Sequence, residues 1–145
     1  MINLPSQKIA LAAVVDPKNG NNAANASGYL DLRKFRQALF ILQTGAIDQT
    51  VDFKIQEAKD ASGTGVQDLP GKAITQLNNT NSSKQALINV RAEELDVNLG
   101  YAFVRAVATV GNGTTSLINV VGLGLEPVFA PASASNLASV VQVVS

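Results

Sequence analysis

The run Tyr101-Ala102-Phe103-Val104-Arg105-Ala106-Val107-Ala108-Thr109-Val110 leads through Gly111-Asn112-Gly113-Thr114-Thr115 into Ser116-Leu117-Ile118-Asn119-Val120-Val121-Gly122-Leu123-Gly124-Leu125. Its side chains alternate. Tyr101, Phe103, Arg105, Val107 and Thr109 lie on one face, and Ala102, Val104, Ala106, Ala108 and Val110 on the other, which is the period of a strand. Two such runs joined by a short Gly-rich connection read as a β-hairpin. Val51, Phe53 and Ile55 alternate with Asp52, Lys54 and Gln56, and Ala86, Ile88 and Val90 with Leu87, Asn89 and Arg91. Ile9 to Val15 is a further strand.

Polar, Asn- and Gly-rich loops separate these strands: Asp16 to Asn22 running on to Gly28, Asp60 to Gly65, and Gly111 to Thr115. Many short strands, turn signals between them and little helix indicate an all-β, two-sheet antiparallel sandwich of jelly-roll type. The 145 residues form one domain, 1–145, with an N-terminal arm at 1–7 and a C-terminal extension at 126–145. Two segments fit either periodicity. Leu32, Phe35, Leu39 and Phe40 have helical spacing, with Asp31 as a possible N-cap and Gly45 as a stop. Leu137, Val140, Val141 and Val144 do too, although four Val among the last six residues favour a strand. Both are taken as strands, with helix left open for Asp31 to Gln43 on the pattern alone.

Eleven Lys and Arg balance eleven Asp and Glu, and His, Cys and Trp are absent. Thiol catalysis, disulfides, Cys/His metal sites and His-based acid–base chemistry are thereby excluded. The scattered cations do not form a polyphosphate-binding face, so no nucleic-acid partner is expected. Arg33, Lys34 and Arg36, beside Asp31, read as a solvated edge. The longest apolar stretch, Leu117 to Leu125, is too short to cross a bilayer, and Met1 to Pro5 lacks the basic and apolar regions of a signal peptide. No membrane partner and no Sec export are expected.

Carboxylates are the remaining catalytic resource. Glu93, Glu94 and Asp96 form an acidic cluster, but adjacent residues do not face each other, so a polar turn is expected there. Asp16 to Asn21 lacks the spacing and closing Glu of a calcium loop. Gly122-Leu123-Gly124 sits in an apolar strand and marks close backbone approach rather than a nucleotide site. Asn25, Asn78, Asn81 and Asn112 stand in sequons that read as coincidence in an Asn-rich chain. Tyr101 is expected to be a packed ring with a bonded hydroxyl. Neither a catalytic residue nor a metal or other cofactor is indicated. The two ends remain: Ile2, Leu4 and Pro5, and Pro127, Phe129 and Pro131, are candidate interface residues, either folded back on the sandwich or reaching a neighbour.

Three segments together carry a resemblance. They are Tyr29 to Phe35 continuing through Gln37 to Ala46, Val51 to Gly65, and Val90 to Val97 with Gly100 to Arg105. In this order they resemble small structural proteins of tailed bacteriophages. That resemblance implies a β-sandwich capsid decoration (cement) protein on the outer surface of the virion. Its partners would be the major capsid protein and sister copies, as a homotrimer, and Gln37 to Gln43 would be a strand. The alternative is a carbohydrate-binding module of a tail or fibre, for which Asn19, Asn21, Asn22 and Tyr29 are the candidate residues.

Overall fold

The computed structural model describes residues 4–144, and within them the chain is all-β with short 3-10 turns. The strands are β1 (Ile9–Asn19), β2 (Ala23–Ala26), β3 (Leu30–Asp31), β4 (Phe35–Ile47), β5 (Val51–Ala58), β6 (Gln67–Ala73), β7 (Gln85–Arg91), β8 (Phe103–Val110) and β9 (Ser116–Pro127). One sheet has the order β1-β9-β4-β7. The other has β2-β8-β5-β6, with β3 also paired to β8. All pairings between these strands are antiparallel. This interleaving of early and late strands across two facing sheets is the jelly roll.

The Gly111 to Thr115 connection does not close a hairpin. β8 pairs with β2, β3 and β5, whereas β9 pairs with β1 and β4 in the opposite sheet. Alternation reports which face of a strand is buried, not which strand lies beside it. Five loop residues suffice to cross the roughly 10 Å between packed sheets. The crossing is pinned at its mouth, where Gly111 N donates to Thr50 O at 3.0 Å and Asp48 N to Thr115 O at 3.0 Å.

β4 resolves the first ambiguous segment as a strand. Ala38, Phe40, Leu42 and Thr44 are buried at every second position, while Leu39, central to the helical reading, lies half-buried on the other face. Asp31 caps no helix; its Oδ1 accepts from Arg33 N at 2.9 Å in the turn between β3 and β4. The tail, by contrast, is not a strand. After Leu137 N donates to Leu11 O at 2.9 Å, the chain turns, with Val140 N donating to Leu137 O at 3.1 Å. Valine-rich sequence forms a strand only where a neighbouring edge supplies the ladder, and this tail has no such edge.

The core lies between the sheets, with Phe40, Leu42, Val90 and Val120 facing Val51, Phe53, Ile55 and Val104. The β9 glycines make it possible. A Cβ at Gly122 would stand 2.7 Å from the Phe40 ring, and one at Gly124 would stand 2.6 Å from the Phe35 ring. Each aromatic ring therefore packs over bare backbone, the close approach expected of Gly within a strand.

Candidate interaction site

Strand direction divides the molecule into two ends. β1, β4, β6 and β8 begin at one end and β5, β7 and β9 finish there, because each antiparallel register pairs a start with a finish. The chain enters β1 and leaves β9 at this end. Leu4, Ile9, Val66, Val97, Leu99, Val128 and Phe129, all exposed, lie here too. Phe129 is 85% exposed, Leu99 65% and Val97 59%. Among the described strands and the loops joining them, Leu117 at the opposite end and Leu87 in the far half of β7 are the large apolar side chains exposed elsewhere. Single exposed apolar residues are ordinary, and here most of those on the sandwich gather at one end.

Five of the candidate interface residues are placed here in differing degrees. Leu4 and Pro5 are exposed, and Pro5–Gln7 forms a 3-10 turn that packs on β1. Pro127 ends β9 half-buried, and Phe129 projects from the segment after it. Pro131, half-buried, leads into the 3-10 turn Ala132–Ser135, which also packs on β1. Ile2 lies outside the described residues. The C-terminal extension is not a free arm throughout: Ala132 is buried in the core cluster, and Leu11 N donates to Asn136 Oδ1 at 2.9 Å. The two ends thus fold back along the outer edge of β1.

A cleft of about 520 Å³ opens at the same end between Leu32, Arg33, Arg36, Val97, Tyr101 and Glu126, with Glu93 at its rim. Its charges do not converge on a reaction. Glu94 pairs with Lys72 at 2.8 Å, and Glu93 leans towards Arg91 at 3.8 Å. Asp96 Oδ2 accepts from Gln67 Nε2 at 2.9 Å. The acidic cluster is a pair of 3-10 turns, Ala92–Glu94 and Val97–Leu99, as a polar turn would be. The hydrogen bond from Lys72 holds the Glu94 carboxyl below its usual range, aided by Arg91. Partial burial pushes Asp31 up, but the hydrogen bonds and charge of Arg33 outweigh this and hold it low. Among the described residues no group of three or more acidic side chains could hold a metal ion.

Glu57 is the buried charge that the sequence pattern did not single out. It is 0% exposed, accepting from Gln67 Nε2 at 2.7 Å and from Asp96 N at 3.1 Å. The signal was present: Val51, Phe53 and Ile55 set an inward phase that reaches Glu57 two residues later. Its bonds tie β5 to the start of β6 and to the loop carrying Val97 and Leu99, so it braces the apolar end from within. Tyr101 is buried as expected, its hydroxyl donating to Gly65 O at 2.8 Å, with Lys59 5.4 Å above the ring.

The residues named for sugar binding are not brought together. Asn19 and Asn21 sit at the far end and bind the crossing loop. Asn21 exchanges two hydrogen bonds with Gly113, at 2.5 and 2.7 Å, and Asn19 Nδ2 donates to Thr114 O at 3.1 Å. Asn22 N donates to Gly111 O at 3.0 Å in the same region. Tyr29 lies at the apolar end, with Arg105 5.1 Å above its ring. The length of β5, eight residues or about 25 Å, separates them. Asp48 joins the Asn cluster: hydrogen bonds from Thr114 N and Thr115 N hold its carboxyl below the usual range.

No protein-family model and no curated protein matches this sequence. Among solved structures, the fold is similar to a chain in the X-ray structure of the Triatoma virus empty capsid. That likeness has 11% identity and a TM-score of 0.44, and covers 86% of this chain and 93% of that one.

Proposed function

We propose that this chain is a non-enzymatic structural protein of a virion, a decoration protein that binds the outer surface of a bacteriophage head. The observation that carries the reading is the apolar end. A two-sheet scaffold presents Phe129, Val97 and Leu99 to solvent at the end where β1 begins and β9 finishes, and its buried side-chain polar atoms all have hydrogen-bond partners. Cement requires a stiff body and a complementary surface. An interface of standard size, about 1,600 Å² in total, repeated over many symmetric copies holds a shell together even when each contact is modest. Balanced charge allows dense packing, because copies with a large net charge would repel each other. The resemblance of the stretch from Tyr29 to Leu125 to phage structural proteins points the same way, with the major capsid protein and sister copies as partners.

Light scattering of the purified chain, followed by sedimentation with undecorated heads, tests this. A trimer that pellets with heads supports the reading. A chain that stays in the supernatant at every concentration overturns it.

A further inference from the structure

The two sheets turn unlike faces to solvent. Across β8, β5 and β6 the outer face is polar and bonded within itself. Lys54 Nζ donates to Asp68 Oδ2 at 3.0 Å, Gln56 Nε2 to Asp68 Oδ1 at 2.9 Å, and Arg105 Nε to Gln56 Oε1 at 3.0 Å. The outer face of β1-β9-β4-β7 is apolar. Leu11 stands beside Leu123, and Leu123 beside Leu39. One row on, Val14 stands beside Val121, Val121 beside Ile41, and Ile41 beside Leu87. Six of these seven are half-buried and Leu87 is 57% exposed, while the alternate residues Ala38, Phe40 and Val120 fill the core. An antiparallel sheet with one face in water carries polar residues on that face. Here contiguous apolar side chains reach across all four strands, which marks a contact surface.

We propose that this face is covered by the same face of a second copy, related to the first by a two-fold axis. The described tail does not supply the cover, since its Val141 is 96% exposed and its Val144 82%. The rim of the face favours a copy of itself. Asn119, Gln43 and Gln85 form the next row, and Gln37 stands beside Leu125 on the other side. Among the described residues, none of these four side-chain amides has a hydrogen-bond partner, whereas Gln56 and Gln76 on the other sheet's side both donate to carboxylates. An amide both donates and accepts, so an amide rim complements itself when symmetry sets a face against its copy. The apolar and amide rows carry no charge, and a charged partner would find no counter-charge in them. Charges stand at the border, with Asp16 and Lys18 beyond a bulge in β1 and Arg91, beside Gln37, 3.5 Å from Glu94. Strands of 11, 12, 13 and 7 residues, about 4.8 Å apart, make a face of roughly 600 Å² in projection. That is on the scale of the about 800 Å² that each partner contributes to a stable complex.

This contact goes beyond head binding and is tested without heads. A flat face is covered by one other flat face, so the contact joins copies two at a time. Sedimentation equilibrium of the full chain over a concentration series is expected to give two copies, or six where copies also join about a three-fold axis elsewhere. One or three copies at every concentration overturns the proposal. Ile41→Glu and Ile41→Lys each place like charges in the shared face, and each alone should raise the dissociation constant of the pair by about a hundredfold. Mixed in equal amounts, the two variants should pair again, because each then meets the opposite charge. Leu87→Glu guards against a folding defect: at an exposed position it should leave Tm unchanged while weakening the pair. Association of Leu87→Glu and of both Ile41 variants at the parent's affinity overturns the proposal, as does a mixture of folded Ile41 variants that fails to recover the pair.

Discussion

Replacing Gly124 by Ala tests the packing of aromatic rings over glycine backbone in β9. The added Cβ would stand 2.6 Å from three atoms of the Phe35 ring, against ordinary carbon contacts of about 3.5–4.0 Å. Removing that overlap requires a displacement of about 1 Å by a ring that is 2% exposed. Overpacking of this kind costs about 1–3 kcal/mol, and an obstructed buried ring places it in the upper half. The intrinsic strand preference runs the other way, since Gly is about 0.5–1 kcal/mol worse than Ala in a strand. The net expectation in the native background is a loss of about 2 kcal/mol, seen as a lower urea midpoint with unchanged m. Phe35→Ala alone should cost about 3–5 kcal/mol through its cavity. In the Phe35→Ala background the clash is gone, so Gly124→Ala should become neutral or stabilise by up to about 1 kcal/mol. The sign change is the prediction. Equal destabilisation in both backgrounds would show that the ring is not what requires glycine.

Glu57→Ala opens a void at a fully buried position and removes the acceptor shared by Gln67 Nε2 and the Asp96 N–H, and should cost about 2–4 kcal/mol in urea unfolding; a loss within about 0.5 kcal/mol would deny the bracing role. Asp48 has its pKa lowered from 3.8 by the Thr114 and Thr115 amides, so its stabilisation is present above that value and is lost as pH falls through the lower folded value. Asp48→Asn should therefore melt with a shallower dependence on pH between about 5 and 2 than the parent, and identical slopes would refute the assignment. Phe129→Ser should leave the melting temperature unchanged while weakening head binding by about tenfold or more, as measured by sedimentation across a concentration series.

The sequence was most legible where burial imposes period two. β5, β7, β8 and β9 follow from their alternating side chains, and the Asp60 to Gly65 and Gly111 to Thr115 stretches fall between strands as expected, whereas in the first polar stretch Asp16 to Asn19 ends β1 and Ala23–Ala26 forms β2. Partner choice was not legible. β8 and β9 each have the pattern of a strand with a buried face, and nothing in either run says that five residues carry the chain to the other sheet. The Asp31 to Gln43 ambiguity arose because Phe35 and Phe40 fit a helical stripe and are also both buried in β4. The last valines misled for a related reason: β propensity describes a surface that a strand can pack on, and the tail lacks one. Of the apolar end, Leu4, Pro5, Pro127, Phe129 and Pro131 were legible as apolar, Pro-bounded segments flanking the strands. Val97 and Leu99 were not, since an exposed apolar pair in a polar turn has no periodicity to mark it. The Asn-rich loop was misleading in its polarity, because its amides serve the β8–β9 crossing instead of a ligand.

The central claim is that the end carrying Phe129, Val97 and Leu99 faces a capsid. Cryo-electron microscopy of undecorated heads incubated with the chain tests it most directly. The account predicts a jelly roll on the outer surface of the shell, with that end buried at the contact. A shell without added density, or a sandwich standing on the Asn19 and Asn21 end with Phe129 in solvent, would contradict it.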